Sequence, residues 1–169
     1  MSTFHTIPTV EFDSSQVTEE VKADLRKNIE LIEGIDQKHF DQIYDAALRS
    51  VAGGRNLYLL TQALIQMNIN GMTKARAGQI ASSLNSKATA TINRIKQQSL
   101  GITEAIWRYS GVPCEVSPKN PGQQDSAHKA ADGKLYKVDT GMFLNGTWTW
   151  PGYEDGCRCG SKSVIKGFV

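Results

Sequence analysis

The residues of this 169-residue chain best suited to chemistry are three thiols and one imidazole, all in its last third. Cys157 and Cys159 flank Arg158 and follow Pro151-Gly152, while Cys114 and His128 stand upstream, the latter ahead of Asp132-Gly133-Lys134. Thiolates are soft, charged donors that suit zinc, and an imidazole completes the tetrahedron of a structural site. On that reading Cys114, His128, Cys157 and Cys159 would hold one structural Zn ion. The Cys-x-Cys spacing is tighter than the gap in common zinc knuckles and leaves one residue of slack between the sulfurs. Two alternatives stand beside the metal. The thiols could be free and buried, cysteine being among the most buried residue types, or Cys114 could bridge to one of the pair. An odd set of three in a reducing compartment favours metal or free thiols over a disulfide framework. His128 is the weakest of the four candidates, because a lone histidine is normally satisfied by hydrogen bonds.

Catalysis has thinner support. A Cys–His nucleophile pair needs a reactive thiolate beside His128 and an orienting group, and nothing singles out Asp125, Asp132 or Asp155 for that role. A metal nuclease would cluster His and acidic residues on a hairpin, yet His5 and His39 fall in an N-terminal arm and a helix. Gly53-Gly54-Arg55 lacks the Lys-Ser/Thr that completes a phosphate loop. The expectation is a chain that is not an enzyme and has no small-molecule substrate. Trp107, Trp148 and Trp150 could stack on nucleic acid. The reading favoured here is a core cluster, with Trp148 and Trp150 on one strand face and Trp107 on another strand.

Charge narrows the classes further. Lys plus Arg number 19 against 17 Asp plus Glu, a formal charge of +2, too balanced for sequence-independent DNA binding through a concentrated basic surface. The longest apolar run, around Leu57 to Met67, is too short and too polar to cross a bilayer. No basic-then-apolar start with a cleavage site opens the chain, so no membrane is expected and the cytoplasm of the producing cell is the expected compartment.

The elements that must position these groups fall into two unequal parts. Residues 1–16 read as an extended arm around Pro8. Residues 17–100 read as a helical lead-in. Val21, Leu25, Ile29 and Ile32 share one face until Gly34, and Asp36 caps a second helix carrying Phe40, Ile43, Ala47 and Val51. Asn56 caps a third helix with Leu57, Leu60, Leu64 and Met67. Thr73 opens the longest helix, to about Gln98, with an inner stripe of Ala77, Ala81, Leu84, Ala88, Ile92 and Ile95. Residues 101–169 hold four of the five prolines and all the tryptophans and cysteines. Strands are expected at Ala105–Tyr109, Lys134–Val138, Thr147–Trp150 and Ser163–Ile165, with a loop from Pro118 to Ser126. The fold class is α+β: an N-terminal helical bundle with one long helix, then a small irregular sheet that a Cys/His cluster could clamp.

In this order the motifs resemble the phage Mu F-like head morphogenesis family. The long helix carries Arg76-Ala77-Gly78-Gln79-Ile80-Ala81, followed by Gly101-Ile102 and Trp107-Arg108-Tyr109. Next come His128, a short spacer and Asp132-Gly133-Lys134 with Tyr136, and last Pro151-Gly152 and Cys157-Arg158-Cys159. The likeness runs from about Leu25 to about Ile165, so that 17–169 would form one domain. Ser82, Ser83 and Leu84 stand where members usually have Arg-Thr-Glu, and many members carry a first cysteine much closer to the histidine than Cys114 is. The resemblance implies a minor virion protein of a tailed phage, incorporated inside the procapsid near the portal. It implies the portal or the major coat protein as partner, packaged DNA as a further one, and a place in the head interior after assembly in the host cytoplasm. The alternative is a zinc-ribbon-like nucleic-acid-binding module using Arg76, Lys87, Arg94 and Lys96, which are spread over more than one face of the long helix.

Overall fold

Short polar side chains set the starts of three helices. In the computed structural model, which describes residues 16–115 and 121–167, the Thr18 hydroxyl accepts from the Val21 amide and opens α1 (Glu19–Glu30). Asn56 Oδ1 accepts from the Leu59 amide at 3.1 Å and opens α3 (Leu57–Gln66). Thr73 Oγ1 accepts from the Arg76 amide at 3.1 Å and opens the long α4 (Lys74–Ser99). Each bond satisfies an amide that the first helical turn leaves without a partner. Between α1 and α3 lies α2 (Phe40–Ala52), reached through a 3-10 turn at Gln37–His39. Asp36 sits at the cap of that turn and its side chain makes no capping bond. The arm expected at the N-terminus lies, up to Ser15, outside the described residues.

The four helices bury Leu25 and Ile29 of α1, Ile43 and Ala47 of α2, Leu60 and Leu64 of α3, and Ala77, Ala81 and Leu84 of α4 in one core. Alanine at every other contact of α4 removes bulk and allows close approach. The expected stripe continues through Ala88 and Ile92 into a second cluster with Val21 and Val51, while Ile95 is only partly buried there. One polar pair crosses the interior: Ser50 Oγ donates to Asn85 Oδ1 at 3.1 Å, and Asn85 Nδ2 donates to the Ala81 carbonyl at 2.9 Å. α1 ends at Glu30 rather than at Gly34, whose φ of +74° instead belongs to the turn that follows.

The second half is built on β1 (Glu104–Arg108), which pairs antiparallel with β2 (Leu135–Lys137) on one side and β5 (Gly160–Ser163) on the other. A separate hairpin joins β3 (Met142–Leu144) to β4 (Thr147–Thr149) across Asn145-Gly146, both at positive φ, the backbone that a tight two-residue turn requires. The architecture is α+β, with five α-helices among the described residues and the long α4 leading into the small sheets.

Three expectations change. From Gln123 the expected loop is helical, α5 (Gln123–Ala130), while residues 116–120 lie outside the described residues. α5 is capped from a distance: Glu115 Oε1 accepts from the amides of Gly122 (3.1 Å) and Asp125 (3.2 Å). The last strand is Gly160–Ser163, in register with β1, rather than Ser163–Ile165. The tryptophans do not form one core cluster. Trp107 is fully buried and Trp150 half-buried, but Trp148 is 59% exposed and lies against Phe143. β4 ends at Thr149, so alternation along a strand no longer ties Trp148 to Trp150.

The halves meet along α1 and α4. Asp24 Oδ1 accepts from the Tyr153 hydroxyl at 2.8 Å, and its Oδ2 accepts from Thr91 (3.0 Å) and Asn28 (3.2 Å). Burial and then the Asp24 carboxylate push the Tyr153 phenol up to about 12. Beside it Arg94 pairs with Glu20 at 2.9 Å and lies over the Trp150 ring at 4.5 Å. Asp24→Ala strands three donors, so it should lower stability by about 1–3 kcal/mol, measured as a lower urea midpoint. Tyr58→Ala, at a site 76% exposed, should stay within about 0.5 kcal/mol of the parent.

Candidate metal centre

Three separate segments deliver the four donors. Cys114 follows Pro113 in the loop after β1; His128 sits in the last turn of α5; Cys157 closes the turn that begins at Pro151; and Cys159 immediately precedes β5. All four are buried, and their ligating atoms lie within 4.8 Å of one another. Cys114 Sγ and Cys159 Sγ are 3.3 Å apart, and His128 Nδ1 lies 3.3 Å from Cys157 Sγ and 3.9 Å from Cys159 Sγ. Zinc–sulfur bonds of about 2.3 Å give a tetrahedron with edges of about 3.8 Å. The separations, from 3.3 Å to at most 4.8 Å, bracket that edge, so the cluster has the size of a single-ion site. The sequence named all four residues, and the fold brings all four together.

Electrostatics points the same way. Hydrogen bonding from Cys159 and then from His128, with the Gly152 amide 3.3 Å from its sulfur, holds the Cys157 thiol well below the usual thiol range. The same bond with Cys157, followed by burial, pushes the Cys159 thiol up, and burial pushes the Cys114 thiol up. One thiolate thus suppresses ionisation of its neighbours, as like charges sharing a buried site must. A dication held by them would reverse that order and favour the thiolate form of all three.

A further layer holds the donors in place. Asp125 Oδ1 accepts from the Cys114 amide at 2.9 Å and from the Tyr109 hydroxyl at 2.7 Å. Those two bonds, Tyr109 first, pull the Asp125 carboxyl below its ordinary range, and the Asp125 bond pushes Tyr109 up to about 12. The Trp107 indole N–H has no nitrogen or oxygen partner; it favours the Cys159 thiolate. The Trp107 ring stands edge-on to His128 at 5.1 Å. Asp125, Trp107 and Gly152 were not assigned these roles from the sequence. Asp125 lies one helical turn before His128, and that i, i+3 spacing was the available signal.

No family model and no solved structure matches this chain. Over 159 residues it is 26% identical to an uncharacterized protein of Haemophilus influenzae, an alignment covering 90% of this chain. The chain spans 31% of that relative's length. The similarity carries no assigned activity with it.

An open cleft of about 1020 Å³ borders the cluster, with Ser83, Lys87, Asp155, Cys157, Arg158 and Cys159 in its lining. Lys87 and Asp155 pair with each other across it at 3.3 Å. The carboxylates weighed as orienting groups are engaged elsewhere: Asp125 as above, Asp132 by the Tyr109 amide, and Asp155 by Lys87 and Ser83. What the arrangement does best is hold four soft and borderline donors around one point.

Two measurements follow from this geometry. Asp125→Ala removes the acceptor that orients Cys114, so zinc affinity in competition with a chromophoric chelator should fall by about 10–100-fold. Cys157→Ser should weaken it further, and an unchanged affinity in both variants would exclude the cluster as the site. Because folding lowers the Asp125 pKa, its contribution to stability is complete above the ordinary carboxylate range and is lost as pH falls through the lower folded value. Asp125→Ala should accordingly flatten the acid limb of stability against pH.

Proposed function

We propose that this chain is a minor structural protein of a tailed-phage head, carried inside the procapsid near the portal, with its C-terminal half clamped by one structural zinc ion. The observation that carries the reading is a coincidence of residues. His128 and Cys157-Arg158-Cys159 supply the C-terminal motifs of the Mu F-like resemblance, and those same residues build the buried donor cluster. Burial suits a stabilising role, since a catalytic metal keeps an open position for substrate. In this reading the chain is not an enzyme, and its partners are the portal or the major coat protein, with packaged DNA within reach.

The competing nucleic-acid module loses part of its basis. Of the four basic residues it would use on α4, Lys87 is paired with Asp155, and Arg94 with Glu20 and the Trp150 ring.

Quantitative mass spectrometry of purified particles and empty procapsids tests the assignment. A few copies per head are expected in both. Absence from both, with abundance in infected cytoplasm, would remove the head role.

A further inference from the structure

We propose that the cysteine cluster is a redox-releasable clamp, in which a hydroperoxide entering by the cleft converts Cys159 and Cys114 into a disulfide and expels the metal. The inference rests on the zinc reading above and adds how the site would be regulated.

Three observations assign the roles. First, the Cys114 and Cys159 sulfurs are 3.3 Å apart, already inside the edge of a zinc–thiolate tetrahedron. Second, access is one-sided. Cys157 and Cys159 line the cleft, whereas Cys114 does not and is fully buried. A small oxidant therefore meets one of the pair, and Cys114 can act only as the resolving thiol. Third, Cys157 is held by His128 Nδ1 and the Gly152 amide, contacts that need no metal. A Cys157–Cys159 bridge would also have to close over the single residue Arg158, a much tighter loop than the 45 positions separating Cys114 from Cys159.

The chemistry balances with hydrogen peroxide as oxidant. Cys159, a thiolate while it ligates the zinc, attacks one peroxide oxygen, the O–O bond breaks, and the departing hydroxide takes a proton to become water. Cys159 is then a sulfenic acid. The Cys114 thiolate attacks that sulfur, the S–S bond forms, the S–O bond breaks, and a second hydroxide leaves as water. The cysteine pair is oxidised by two electrons and the peroxide is reduced by two. Zinc, left with Cys157 and His128 alone, passes to solvent.

The test uses the full chain loaded with zinc alone, exposed to graded hydrogen peroxide with a chromophoric chelator present and peptide mapping by mass spectrometry. The expected result is zinc release in step with the loss of two hydrogen masses, mapped to a Cys114–Cys159 bridge and reversed by dithiothreitol plus zinc. In Cys114→Ser the reaction should stop at a sulfenic acid on Cys159 that dimedone traps. Retention of zinc with intact thiols would overturn the proposal, as would over-oxidation or a Cys157–Cys159 bridge without the Cys114–Cys159 link. If Cys114→Ser does not fold, mapping of the parent chain decides alone. A chain that binds no zinc before oxidant is added sinks the metal reading by itself. The bridge is then judged by mapping, and its absence sinks the redox reading separately.

Discussion

Three thiols and an imidazole buried within one small volume are the constraint around which the second half of this molecule is arranged. Left to themselves these groups oppose one another: Cys157 ionises readily, and in doing so raises the barrier to ionising Cys159. Their convergence is also topologically demanding. The donors come from a loop after β1, the end of α5 and the irregular stretch that runs into β5. β1 sets the distance between the loop holding Cys114 and the strand that follows Cys159, because β5 pairs directly with β1. α5 delivers His128 only because Glu115, next to Cys114, caps its first turn. The cluster and the elements around it are thus mutually dependent.

The helical half stands on different physics. It has a large apolar core of its own, and the buried Ser50–Asn85 contact across it is satisfied. α4 extends from that core to serve as the platform for the sheet half. Ala88, Thr91 and Ile92 face α1 and α2, while Lys87, Arg94 and Gln97 reach the cysteine-bearing half. The bonds of Tyr153 to Asp24, Lys87 to Asp155 and Gln97 to Ser161 and Ser163 across the two halves are polar, so their geometry is specified by direction as well as by burial.

How much of this could be read from the sequence depended on how local each signal was. Asn56 and Thr73 cap helices through bonds three residues long, and their positions were visible, whereas Thr18 caps α1 in the same way without having been singled out and Asp36 makes no capping bond. The alanine stripe of α4 was visible because a 3.6-residue period needs no tertiary context. α5 was hidden, since it is short and its cap comes from Glu115, seven residues before Gly122. Trp148 was misplaced because strand alternation was carried one residue too far, past the end of β4 at Thr149. At the site, donor chemistry alone picked out all four candidate ligands. The supporting groups were not legible, because Asp125 and Trp107 gain their roles only from what folding sets beside them.

The small size of the second half bears on what a metal clamp would add there. Its strands are three to five residues long and its buried set is Ala105, Trp107, Cys114, Ala131, Tyr136, Val138, Cys157 and Cys159. Two of those are alanines and three are the candidate ligands themselves, leaving Trp107, Tyr136 and Val138 as the large buried side chains, with Ile102, Tyr109, Met142, Leu144 and Trp150 only partly buried against them. So little apolar area does not by itself offset the conformational entropy of ordering a chain this irregular. Metal coordination adds folding free energy to a domain in that position without adding side-chain volume. It also accounts for a local oddity: the Cys157–Cys159 stretch forms no regular structure until Gly160 begins β5, yet both its cysteines are buried. Backbone in such a stretch needs another source of order, and ligation at two positions separated by one residue would supply it.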